Sequence, residues 1–188
     1  MADLADTERI AIEDTQARLT RAGVGLNLCP FAKAVMAKGQ VRYVVTEHSE
    51  PEHLLKMLQS EMQTLVDADP DTLDTTLLIA PYLLPDFVDF NEFLFDCDAV
   101  LLGMDLEGVL QIADFHPGYQ FAGTAPDDVE NLTNQSPYPT LHLLREDSVT
   151  RAVQAFPDAA LIYERNTALL REMGTAGWQA LGIKSRLY

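Results

Sequence analysis

Basic side chains are scarce: 13 Lys and Arg stand against 29 Asp and Glu, a net charge of -16. That field repels phosphate backbones, and no Lys/Arg run offsets it locally, which excludes nucleic acid and anionic membrane surfaces as partners. No stretch reaches the ~18 consecutive apolar residues of a membrane span. The opening MADLADTERIAIEDTQ carries acids where a signal peptide carries a basic n-region and an apolar h-region. Cysteine is limited to Cys29 and Cys97, too few for a disulfide framework. Both are expected to be free thiols, and the expected location is the cytoplasm, a reducing compartment. Signature motifs are missing as well. There is no G-x-x-x-x-G-K-[ST], no H-E-x-x-H, no G-x-S-x-G and no paired C-x-x-C. The common NTPase, zincin and hydrolase classes lose their support. Gly23-Val-Gly25 follows a helical pattern and is no dinucleotide fingerprint.

What is present suits one folded domain over residues 1–188, with 47% hydrophobic and 22% charged residues. Ala5, Ile12 and Leu19 repeat every seven positions and predict a helix over 4–22, broken by Gly23 and Gly25. Pro30 predicts the start of a second, shorter helix ending near Gly39. VRYVVTE (41–47), TTLLIAP (75–81), GVLQIADFH (108–116) and TLHLLRE (140–146) read as strands. Leu54, Leu58, Met62 and Leu65 mark a helix between the first two strands. Asp86 caps another, with Phe87, Phe90, Leu94, Cys97 and Leu101 as its stripe. A helix capped by Asp147 or Ser148 carries Val149, Val153 and Phe156, and a final helix runs from about 158 to 173. Residues 123–139 read as a long polar loop. The expected class is α+β: a small, mostly antiparallel or mixed sheet of about four strands covered by helices, with which a ferredoxin-like arrangement is compatible.

ADFHPGYQFAG (113–123) concentrates chemistry. Side chains two apart on a strand share a face, so Asp114 can orient His116 as a general base, with Phe115 pointing into the core. The plainer alternative is a histidine that ends a strand and bonds a turn. In TLHLLRE, a strand, the preferred reading, puts Leu141, Leu143 and Arg145 on one face and His142, Leu144 and Glu146 on the other, whereas a helix would gather His142, Arg145 and Glu146 at i, i+3 and i+4. His142 and Arg145 then share a site only if Arg145 curls over the sheet edge; otherwise Arg145 makes a surface ion pair. Cys29 before Pro30 falls at an expected helix N-cap, where the dipole favours a thiolate, with Lys33 one turn on. Its alternative is a small buried hydrophobe. Asn131, Thr133, Asn134, Ser136 and Tyr138 offer neutral hydrogen-bonding groups that orient a ligand or simply build turns.

Three segments, NLCPFAK (27–33), FHPGYQFAGT (115–124) and NLTNQSPYPTLHLLRE (131–146), together resemble the family known as domain of unknown function 1415. The resemblance extends to YERN (163–166) and GWQAL (177–181), and so to nearly the whole chain. One departure is Gln135, where the family pattern often has Arg. The resemblance implies a single-domain soluble protein found mainly in bacteria. It singles out Cys29, His116, Asn134, Ser136, Tyr138, His142 and Arg145 and implies no catalytic role for any of them.

The functional expectation is a cytosolic enzyme or ligand-binding protein acting on a small polar molecule. In it His116, with Asp114, is the acid/base; His142 a second proton carrier; Cys29 a nucleophile; and Arg145, Asn134, Ser136, Tyr138 and Lys33 bind the substrate. One alternative is a metal site of Cys29, His116 and His142, with Asp114 as fourth ligand or outer partner. Another is a non-catalytic interaction protein displaying Tyr119, Phe121 and Tyr138. Cofactor and oligomeric state are not legible in the sequence.

Overall fold

The segment TTLLI is buried at every position, which marks it as a strand covered on both sides. The computed structural model describes residues 4–155 and 161–184. In it that segment, β2 (Thr75–Ile79), joins β1 (Val41–Val45), β3 (Leu110–Phe115) and β4 (Thr140–Arg145) in one sheet ordered β1-β2-β4-β3. β1 and β2 run parallel, and β4 runs antiparallel to both β2 and β3. This is the mixed, four-stranded α+β sheet expected from the sequence. A ferredoxin-like unit runs β-α-β-β-α-β. Here the corresponding order is β-α-β-α-β-β, with the last strand inserted between its two predecessors.

Two helices cover one face. α3 (Pro51–Asp67) is the crossover that a parallel pair requires, with Pro in its first turn and Leu54, Leu58, Met62 and Leu65 turned inward. α4 (Phe87–Gly103) follows β2, and the Asp86 carboxylate accepts from the Val88 and Asp89 amides at 2.8 and 3.2 Å. Their inner residues, with Leu78, Leu110, Leu141 and Leu143 from the sheet, form the main core. Phe93 is buried in place of the half-buried Phe87 and Leu94, so the α4 stripe is rotated slightly from the expected one.

The opposite face carries α1 (Leu4–Arg18), which continues as a π-helical turn, Leu19–Val24. Here the expected stripe is corrected: Ala5 is exposed and Ile12 and Leu19 half-buried, while Ala11, Asp14, Thr15, Arg18 and Ala22 are buried. Polar partners decide the rotation. Tyr138 Oη donates to Asp14 Oδ2 at 3.1 Å, Lys184 Nζ pairs with Asp14 Oδ1 at 3.1 Å, and Arg18 Nε donates to the Gln135 carbonyl at 3.0 Å. Buried polar groups must be bonded, so the helix turns these residues inward and leaves the shorter apolar series half-exposed. A smaller core of Ala11, Val45, Ile79 and Tyr138 lies beneath them.

Three other boundaries differ from expectation. α2 spans Ala32–Ala37 with Phe31 as its N-cap, so Pro30 and Cys29 precede the helix. The 123–139 segment holds a 3-10 turn, Val129–Thr133, and is folded onto the domain by the buried Glu130 and Asn131. α5 (Glu146–Ala155) follows β4 directly, placing Asp147 and Ser148 inside its first turn. The last helix, α6 (Ile162–Ala180), passes the expected end at 173 and bends at Gly174, whose φ of 65° suits glycine. Phe156 and Pro157 lie outside the described residues. Among the described residues, no helix is long and apolar enough to cross a membrane.

Replacing Asp86 with Ala removes the α4 cap, and a loss of about 1 kcal/mol is expected. Urea titration checks this: the midpoint should fall while the slope stays unchanged.

Candidate functional site

His116 is fully buried at the end of β3. Its Nδ1 accepts from the Gly118 amide at 2.9 Å, and its Nε2 donates to the Leu84 carbonyl at 2.9 Å. The ring packs on Phe87 and Phe90 of α4, with centroids 5.5 and 5.0 Å away. Burial holds its pKa below the ordinary histidine value, so it is a neutral Nε2–H imidazole. Both ring nitrogens are committed, and the histidine pins the Pro117-Gly118 turn to the loop before α4. Asp114 shares its face, as the strand period requires, yet makes no hydrogen bond to that ring. Burial raises the Asp114 pKa, and burial together with the Asp114 charge raises that of Tyr119.

Alternation along β4 parts the other two expected partners. Arg145 lies on the side of Leu141 and Leu143 and donates to the carbonyls of Leu65, Ala68 and Leu73, at 2.9 Å for Ala68. It closes the C-terminal turn of α3, where unbonded carbonyls and the helix dipole favour a cation. The curl toward His142 does not occur. His142 pairs across the sheet with Leu77 and Ala113 and points to the α1 face. His116 and His142 therefore stand on opposite sides of the sheet.

On the α1 face, Thr75 Oγ1 lies 2.7 Å from His142 Nε2 and 2.6 Å from the Leu143 carbonyl. A carbonyl only accepts, so the hydroxyl proton goes to Leu143 and His142 Nε2–H donates to Thr75. The neutral ring is thereby fixed as the Nε2–H tautomer, and Nδ1 keeps a lone pair with no hydrogen-bond partner among the described residues. Burial and the Arg18 charge push its pKa down to about 4.

Arg18 completes this arrangement, and sequence reasoning missed it. It is 6% exposed, its Nε and Nη2 donate to the carbonyls of Gln135 and Thr133, and its guanidinium sits 5.1 Å from the Phe115 ring centroid. The same Phe115 ring is 6.0 Å from that of His142. Among the described residues no carboxylate pairs with Arg18. Burial lowers its pKa to about 10, and only Cys29, close enough to interact with its charge, acts in the opposite direction. The half-buried Cys29 thus lies within electrostatic range of Arg18, although it caps no helix.

Of the remaining expected residues, Ser136, Tyr138 and Asn134 are held by hydrogen bonds within the fold. Ser136 Oγ donates to the Tyr138 carbonyl, and Tyr138 is buried in the smaller core. Asn134 Nδ2 donates to the Asp114 carbonyl at 3.4 Å. Lys33 is exposed on α2. Among the described residues, no three His, Cys, Asp or Glu side chains gather as metal ligands, and Cys29, His116 and His142 are divided by the sheet. Tyr119 and Phe121 meet edge to face at 5.0 Å and are half-buried, so with the buried Tyr138 they form no flat exposed patch.

The family model described as Protein of unknown function (DUF1415) matches residues 10–180 of the chain. No curated protein and no solved structure matches it.

His116→Ala is expected to cost about 2–4 kcal/mol of stability, since it opens a cavity and orphans buried partners; urea titration at pH 8 measures it. His142 yields a pH signature. Its folded pKa is depressed, so between pH 6.5 and about 4 the unfolded chain binds a proton that the folded one refuses, and stability falls as pH is lowered through that window. Melting curves across the window should fall less steeply for His142→Asn than for the wild type; identical slopes would contradict the assignment.

Proposed function

The chain belongs to the DUF1415 family, and we propose that it binds a small anionic molecule, of the carboxylate or phosphate class, between Arg18 and His142. The observation that carries this reading is a buried guanidinium with no carboxylate partner among the described residues, in a chain with 29 Asp and Glu. Buried charges are ordinarily paired, and here two carbonyls and an aromatic face leave the countercharge to be supplied from outside.

The groups around Arg18 define what is recognised. Its Nε and Nη2 are committed to carbonyls, and Nη1 makes no hydrogen bond among the described residues. An anion bound there gains a charge-assisted contact. His142, neutral down to about pH 4, presents the Nδ1 lone pair to a hydroxyl or N–H of the same molecule. Phe115 supplies an apolar wall between them. Cys29, within electrostatic range of the guanidinium, is the group in this set with nucleophilic chemistry, so an enzymatic role would run through it. The reading keeps the small polar ligand expected from the sequence and moves its anchor from Arg145 to Arg18. The acidic chain and its two free thiols suit a cytoplasmic setting.

Thermal melting of the full chain against mono-, di- and tricarboxylates and phosphate esters tests the proposal. At least one compound should raise the midpoint by roughly 3 °C or more at saturating concentration. That rise should vanish in His142→Asn and in Arg18→Gln. A panel without effect, or a shift that survives both substitutions, would refute it.

A further inference from the structure

α4 is apolar on more than its buried side. Val88, Phe95 and Leu102 are 62%, 73% and 61% exposed and stand seven residues apart. That spacing keeps side chains on nearly one line, drifting by ~20° per heptad, so the three form a stripe about 21 Å long on the solvent side. The inner side of the same helix is already used by Phe90, Phe93, Cys97 and Leu101. Acids flank the stripe: Asp89, Glu92, Asp96 and Asp98 are all exposed, and α4 contains no Lys or Arg. Among the described residues none of these carboxylates forms an ion pair.

We propose that this face docks a basic amphipathic helix of another protein, with apolar side chains at heptad spacing against Val88, Phe95 and Leu102 and with Lys or Arg on both flanks. Charge decides the occupant. A second copy laid on the stripe would set Asp and Glu against Asp and Glu on both sides, and like charges juxtaposed across an interface oppose association. A basic helix of about 15–18 residues spans the same length and neutralises the flanking carboxylates while covering the apolar line. Phe95, at the middle of the stripe and its largest side chain, is the anchor.

The probe is a labelled 18-residue synthetic peptide of Leu and Lys with one apolar helical face, followed by fluorescence anisotropy with the full chain. The control is a peptide of the same composition scrambled so that no apolar face remains. The amphipathic peptide should bind at least about tenfold more tightly than the scrambled one, and Phe95→Ser should weaken it about tenfold. Because Phe95 is exposed, the melting midpoint of that variant should stay close to the wild type. Asp96→Asn combined with Glu92→Gln should weaken binding and flatten its salt dependence. Equal affinity for the two peptides, or affinity unchanged by Phe95→Ser, would overturn the proposal. So would a wild-type dimer in sedimentation that Phe95→Ser dissociates, since the stripe would then hold a second copy.

Discussion

The insertion of β4 between β2 and β3 is the constraint on which the remaining geometry depends. A strand paired on both edges has no freedom of register, and its period of two sends successive side chains to opposite faces. Leu141 and Leu143 therefore enter the main core, Arg145 continues on their side to the end of α3, and His142 is delivered to the other face. A slip of one residue would place an imidazole in the core of α3 and α4 and strand Arg145 away from its carbonyls. The packing of the helices and the chemistry of the α1 face thus rest on one register.

The two faces solve different physical problems. Against α3 and α4 the contacts are almost wholly apolar, and His116 joins them only as a neutral ring with both nitrogens bonded. Against α1 the buried set includes Asp14, Thr15 and Arg18, and the cohesion comes from directed bonds to Tyr138, Lys184 and the 133–135 backbone. Directed bonds specify position but leave unused capacity where partners run out. Among the described residues the Thr15 hydroxyl is buried without a hydrogen-bond partner, and His142 Nδ1 makes no hydrogen bond.

Much of this was legible in the sequence. The α3 stripe of Leu54, Leu58, Met62 and Leu65, the Asp86 cap and the β-branched runs gave correct elements, because each depends on local spacing and on burial that is apolar on one side. The alternation in TLHLLRE also separated His142 from Arg145. What local spacing does not encode is which strands pair, and so the central place of the last strand was not readable. For α1 the pattern misled: Ala5, Ile12 and Leu19 form a regular apolar series, but the buried face is the one bearing Asp14 and Arg18. Its partners, Tyr138 and the Thr133 and Gln135 carbonyls, lie more than a hundred residues away, so no window around the helix contains the reason. The signal that existed was the spacing of Ala11, Asp14, Thr15, Arg18 and Ala22, a second helical stripe that hydrophobicity alone scores as solvent-facing.

That misreading bears on where function resides. Histidine content drew attention to His116, yet a histidine whose two nitrogens are bonded to backbone and whose ring is sealed by Phe87 and Phe90 has no valence left for a substrate. His142 differs in two respects: its Nδ1 makes no hydrogen bond among the described residues, and the charge that acts on it is a buried cation. Arg18 cannot escape burial by rotating outward without releasing the carbonyls of Thr133 and Gln135, which tie α1 to the loop before β4. The fold therefore holds a positive charge in a low-dielectric position and keeps the adjacent imidazole neutral. A structural role would be met more cheaply by an apolar residue or by an arginine with its own carboxylate. Among the described residues no carboxylate pairs with this buried cation, and that placement argues for a ligand that brings one.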